Sequence, residues 1–198
     1  MDPIDAVRFG RSVPKFSHEF STYRIDKAPL IGYSAVVGDT SSARANGVEV
    51  GSHIGALQMI GGAFTGSRVG GDIPEHPIGV DLYLRLRRPF GPGLTAGTSH
   101  RWADKDALGV DVIAKRGDLQ LTGEYVRTET TSEWYVLGEQ ALTRSIRAVA
   151  RFEHLEENED RWTVGPTLGL NDHLELKVNA VFSDEKPDRL LGQLTARW

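Results

Sequence analysis

The feature that most constrains this chain is a period of two. From Pro77 to Trp198, apolar and polar residues alternate through segments of ten or eleven residues, separated by turn-forming residues. Successive side chains on a β-strand point to opposite faces, so the pattern predicts strands with one apolar and one polar face. The segments are 78–88, 91–102, 106–116, 118–128, 131–141, 144–154, 160–170, 172–182 and 189–198, and 6–13, 47–53 and 54–65 extend the series upstream. Twelve is an even number, as bacterial transmembrane barrels require. The fold class is read as all-β: a single antiparallel transmembrane β-barrel of about 12 strands over residues 1–198, with one long outer loop at about 14–45.

Alternation alone does not say which face is inside. A soluble barrel puts the apolar stripe in its core, and a membrane barrel turns it outward. The stripe includes Val80, Leu82, Leu84 and Leu86, then Leu108, Val110, Val112 and Ala114, then Leu174, Leu176, Val178, Ala180 and Phe182. Two features favour the outward reading. Connections alternate between long (14–45, 66–77, 156–160, 183–188) and tight (Gly117-Asp118, Leu142 to Arg144, Asn171-Asp172), with 129–131 a short exception. The second is a belt: Trp102, Tyr125, Trp134, Phe152, Trp162 and Phe182 fall on the apolar face near one predicted end, with Phe90 and Trp198 at the other rim. Such rings suit a membrane interface, where an apolar body and a polar tip are both satisfied.

Composition is compatible with this and excludes several alternatives. The chain is 39% hydrophobic with no run of 18 apolar residues, so a transmembrane helix is excluded, while a barrel shows lipid only every second residue. Cysteine is absent, which removes disulfides and thiolate chemistry. A net charge of -4 gives no case for nucleic acid. Met1 to Phe20 has no apolar core segment, so the sequence is read as a mature or recombinant form.

The stretch DHLELKVNAVFSDEKPDRLLGQLTARW, ending at Trp198, resembles the last hairpin of Gram-negative outer-membrane porins. VRFGRSVPKFSHEF, from Val7 to Phe20, and GVDVIAKRGDLQLTGEYV, from Gly109 to Val126, resemble the phosphate-selective porin family. The resemblance covers about half of the chain. It implies a bacterial outer-membrane location, contact with lipid and lipopolysaccharide, the barrel-assembly machinery as a partner in biogenesis, and a homo-oligomer. This chain is shorter than that family's sixteen-stranded members and has no lysine ladder, so phosphate selectivity is not carried over.

With the apolar face outward, the inward cations are Arg85, Arg87, Arg101, Lys115, Arg147, Arg151, Arg161, Lys177 and Arg197. The inward acids are Glu49, Asp81, Asp111, Glu124, Glu139, Glu153 and Glu175. Hairpin registers predict Glu139 opposite Arg147, Glu153 opposite Arg161 and Glu175 opposite Arg197, which leaves Arg85, Arg87, Arg101, Arg151 and Lys177 less compensated. The pore-lining set is therefore Arg85, Arg87, Arg101, Arg147, Arg151, Lys177, Asp111 and Glu124, and it predicts a passive channel for small, preferably anionic solutes. A salt-bridged, non-conducting scaffold or partner-binding barrel is the alternative. An outer-membrane hydrolase is less favoured, because Thr98, Ser99, His100 and His154 offer no nucleophile and histidine on one face with an orienting acid. No cofactor is expected, and no metal, since His53, His76 and His173 are scattered turn residues. The acidic runs 156–160 and 183–188 read as solvated loops.

Overall fold

The computed structural model describes residues 4–12, 30, 45–65, 80–102, 106–156, 159–184 and 187–196. These residues form twelve strands: β1 (Ala6–Ser12), β2 (Ala45–Ile54), β3 (Leu57–Thr65), β4 (Val80–Pro89), β5 (Leu94–Trp102), β6 (Ala107–Arg116), β7 (Leu119–Thr128), β8 (Ser132–Ala141), β9 (Ile146–His154), β10 (Asp160–Asn171), β11 (Leu174–Ser183) and β12 (Arg189–Ala196). Each pairs antiparallel with its neighbours in sequence, giving one sheet ordered β1 to β12. The ladders described run from β1 to β12 without interruption, and none among the described residues joins β12 to β1. Strand ends lie within a few residues of those predicted from alternation.

Turn chemistry sets the two ends. At one end the hairpins are tight: Gly55-Ala56, 90–93, Gly117-Asp118, 142–145 and Asp172-His173. Gly117 sits at φ 59°, the left-handed region that a two-residue hairpin demands and that glycine enters without steric cost. At the other end the connections are 13–44, 66–79, 103–106, 129–131, 155–159 and 184–188. The shortest of them closes through its own threonines, with the Thr128 hydroxyl accepting from the Thr131 backbone N–H at 3.0 Å.

Burial is inverted relative to a water-soluble β-protein. Among the described residues, the buried side chains include Arg85, Asp111, Glu124, Arg151, Glu153 and Lys177, while Leu82, Leu84, Leu108, Val110, Val112, Leu121, Val136 and Ile146 are exposed. No second layer of structure among the described residues covers the charged face, so the sheet buries it by curling upon itself as a barrel. Those eight side chains are 37–47% exposed, so leaving that surface in water forfeits roughly half of the about 1.5–3 kcal/mol that full burial of each would gain, a total comparable with the whole stability of a domain at about 5–15 kcal/mol. Hydrocarbon is the solvent that removes this penalty. The architecture is that of a transmembrane barrel, and the outward reading of the apolar stripe holds.

The aromatic belt forms a row. Tyr125 is paired with Trp134, Val136 with Phe152, Phe152 with Trp162, and Trp162 with Phe182 across β7 to β11. Ring centroids of Trp134 and Phe152 are 5.3 Å apart, and those of Phe152 and Trp162 are 4.7 Å apart. Trp102, on β5, stacks on His100 at 4.2 Å. All six lie on the outer face toward the long-connection end, while Trp198 lies outside the described residues. In vesicles of bromine-labelled lipid, fluorescence of a Trp198→Phe variant is expected to be quenched most by bromines near the headgroup and least by bromines at the acyl end. The opposite order would dissolve the belt.

Candidate functional site

The chemistry of this chain faces inward, and glycines decide who meets whom. Arg85 on β4 lies opposite Ser99 on β5, and Gly97 on β5 lies opposite Asp111 on β6. Because Gly97 has no side chain, Arg85 reaches over β5 and its Nη2 donates to Asp111 Oδ1 at 2.6 Å. A Cβ at Gly97 would stand 2.7 Å from that same carboxylate oxygen. Both partners are 2% exposed. Among the described residues, Arg85 Nη1 and Asp111 Oδ2 are buried with no hydrogen-bond partner.

The arrangement recurs two strands earlier. Gly62 on β3 lies between Glu49 on β2 and Tyr83 on β4, and the Tyr83 hydroxyl donates across it to Glu49 Oε2 at 2.5 Å. The other carboxylate oxygen of Glu49 accepts from Arg8 Nη1 at 3.0 Å. Phe64 stacks on Tyr83 with centroids 5.6 Å apart, and a Cβ at Gly62 would lie 2.7 Å from both rings.

From β7 to β11 the pairs are more local. Tyr135 donates to Glu124 at 2.9 Å. Glu153, fully buried, is flanked by Arg151 at 3.2 Å and Arg161 at 2.8 Å. Glu139 takes Gln120 at 3.2 Å and Arg147 at 3.4 Å, and Lys177 lies 3.5 Å from Glu175.

These contacts test the expected pairings one by one. Glu153 and Arg161 are direct cross-strand partners, as the hairpin register predicts. Glu139 meets Arg147 on the diagonal, since its directly opposite residue is Val149. Glu175 lies opposite Thr195 instead of the expected Arg197, which is outside the described residues, and it pairs with Lys177 along its own strand at 3.5 Å. The expectation of five weakly compensated cations is corrected. Arg85 is paired with Asp111, Arg151 with Glu153 and Lys177 with Glu175, while Arg87 and Arg101 also hold polar or electrostatic partners. A buried cation without an anion costs several kcal/mol, so proximity to an acid is what lets these residues sit inside.

The interior is unevenly filled. On the β6–β9 side, Leu30 is 1% exposed and packs with Ala107, Val126, Tyr135, Leu137, Val149 and Leu155. This places one residue of the long 14–45 connection, read from the sequence as an outer loop, in the barrel's inner cluster. On the β1–β4 side a cavity of about 380 Å³ opens, lined by Arg8, Glu49, His53, Gln58, Arg85 and Arg87 among others. His53 Nδ1 and Asp5 are hydrogen-bonded at its mouth, a contact no sequence pattern announced. The Arg8 side chain is 59% exposed, against 2% for Arg85.

The remaining polar candidates are dispersed. Ser99 points inward and is buried, Thr98 points outward and its hydroxyl donates to the Gly109 carbonyl at 3.1 Å, and His100 packs on Trp102. His154, on the outer face, pairs with Asp160 at 2.7 Å and stacks on Trp134 at 5.8 Å. No group of three or more His, Asp or Glu among the described residues could hold a metal ion.

No family model matches the chain, and no curated protein does. A solved structure described as a KdgM porin in complex with disordered oligogalacturonate superposes with a TM-score of 0.44 at 6% identity, over 78% of this chain and 92% of that one.

Proposed function

We propose that the protein is a porin-like channel of the bacterial outer membrane, through which small solutes diffuse passively with a preference for anions. The observation that carries this reading is the inverted burial: an apolar outer face with an aromatic row at one level, around an interior built from charged side chains. The anion preference is supported by the guanidinium groups of Arg8 and Arg87 on the lining of the β1–β4 cavity, Arg8 being 59% exposed and shared with Glu49, while Arg85 is neutralised by Asp111. The likeness of Val7 to Phe20, Gly109 to Val126 and the C-terminal stretch to phosphate-selective porins supports a porin-like barrel and carries no phosphate selectivity.

Single-channel recording in planar bilayers tests it. Stable unitary steps are expected, with a reversal potential on the anion side in a salt gradient. An Arg8→Ala, Arg87→Ala variant is expected to bring that potential toward zero while leaving the steps intact. A second reading is favoured by the near-complete burial of Arg151, Glu153, Lys177 and Asn179, which is what a salt-bridged scaffold would show. A folded barrel that never conducts would establish that reading instead.

A further inference from the structure

The inner and outer faces treat their cations differently. Inside, Arg8, Arg85, Arg147, Arg151, Arg161 and Lys177 each have a carboxylate partner. On the outer face at the tight-turn end, Arg88 on β4 and Arg116 on β6 continue the parity of Leu84 and Val112, and Arg144 lies in the β8–β9 turn. All three are exposed, and none meets a carboxylate among the described residues. In water an exposed cation needs no such partner. At the border of hydrocarbon its partners are the groups of the headgroup layer, to which the alkyl stem carries the charge.

Each of the three has an apolar companion. The Arg88 guanidinium lies over the Phe90 ring, 5.8 Å from its centroid, Arg116 is the cross-strand partner of Leu119, and Arg144 stands two residues after Leu142. Phe90 and Leu142 are each 62% exposed although they sit in turns, where small and polar residues are the rule. An apolar anchor beside a cation suits the boundary between acyl chains and headgroups. The hairpins that carry them, β4–β5, β6–β7 and β8–β9, follow one another around the sheet, two strands or about 10 Å apart.

Sign separates the two ends of the barrel. Asp118 is the one acid in those three turns. At the long-connection end, among the described residues, the exposed acids Asp106, Glu129, Glu156, Asp184 and Asp188 outnumber the exposed Arg127 and Arg189. A basic sector at a membrane surface draws anionic lipid, with roughly fivefold local enrichment for each arginine.

We propose that the tight-turn rim over β4–β9 is a docking surface for anionic phospholipid headgroups, with Arg88, Arg116 and Arg144 each holding a phosphodiester. A guanidinium presents two parallel N–H donors to phosphate oxygens, so it does more here than a point charge would. Tight turns face the periplasm in outer-membrane barrels, which makes the periplasmic leaflet the source of the lipid. The surface rests on the membrane-barrel reading and not on conduction.

Electron paramagnetic resonance of spin-labelled lipids tests this on the full-length barrel in phosphatidylcholine vesicles. Lipid touching the protein gives a motionally restricted component, and its size reports relative association. Labelled phosphatidylglycerol is expected to associate about two- to threefold more than labelled phosphatidylcholine, the local enrichment being diluted because one sector of the perimeter carries the arginines. In about 1 M sodium chloride the ratio is expected to fall toward one, and sodium phosphate of equal ionic strength is expected to do no more. The triple variant Arg88→Gln, Arg116→Gln, Arg144→Gln is expected to abolish the preference at low salt, and Arg127→Gln, at the other rim, to keep it.

A wild-type ratio of one, or a preference that survives in the triple variant, overturns the docking surface. Equal loss in Arg127→Gln overturns its placement at the tight-turn rim. Stronger competition by phosphate than by chloride overturns the lipid in favour of free phosphate. If the triple variant fails to insert, the single variants decide: each is expected to remove about a third of the excess, and three singles with the wild-type ratio overturn the proposal. A folded wild type with no restricted component overturns the membrane reading and this surface with it, whereas a lipid preference in a barrel that never conducts overturns only the channel.

Discussion

Val110→Arg is expected to lose about 2–4 kcal/mol of folding free energy in lipid vesicles, and Thr130→Arg almost none. Val110 lies mid-strand on β6, 42% exposed on the outer face between Leu108 and Val112. In water an arginine at such a site would be indifferent, since surface substitutions usually fall within about 0.5 kcal/mol. At the centre of a bilayer the guanidinium has no water to meet, and its alkyl stem is too short to carry it fully to the interface. Thr130, in the exposed connection between β7 and β8, gives the same charge with no such cost. Urea unfolding from vesicles reads both variants. Equal midpoints would mean that the apolar face never meets lipid.

The second large effect is inside. Arg85→Met is expected to cost about 3–5 kcal/mol, because it leaves the Asp111 carboxylate buried and alone. Asp111 is 2% exposed, so the wild-type carboxylate has Arg85 and not water as its counter-charge. The double variant Arg85→Met, Asp111→Leu is expected to recover most of that loss, since a buried ion pair contributes little net stability against an apolar pair of similar volume. The same urea titration separates the outcomes. A single variant as stable as the wild type would show that Asp111 has another cation or water to hold it.

Much of the fold is legible in the sequence because one physical rule produces it. Side chains alternate between two solvents along every strand, so Leu82, Leu84 and Leu86 against Tyr83, Arg85 and Arg87 betray both the strand and its two faces. The aromatic row is legible for the same reason, as Tyr125, Trp134, Phe152, Trp162 and Phe182 share a parity and a distance from the long connections. The tight hairpins also fix registers, which is why Glu153 and Arg161 meet as expected.

The site is legible only in part, since hairpin reasoning sees nearest strands alone. Arg85 finds Asp111 two strands away, and Tyr83 finds Glu49 two strands away, each over a glycine. A signal was present: Gly97 and Gly62 occupy inward positions on strands flanked by a cation or phenol on one side and an acid on the other. Reading inward glycines as gaps through which second-neighbour strands touch would have paired Arg85 and removed it from the weakly compensated set. Leu30 has no such signal, because an aperiodic connection gives no parity from which to infer a direction.

The plain succession of strands has a further consequence. Since every ladder among the described residues joins elements consecutive in the chain, these strands meet their partners as soon as the intervening connection closes, and only closure of the barrel needs its two ends to find one another. Such an order also makes the hairpin a removable unit: deleting or duplicating one changes the circumference and leaves all other pairings as they were. A wide barrel and a narrow one then differ by the number of copies of the same local instruction, and the width of this one is a quantity that evolution can step up or down two strands at a time.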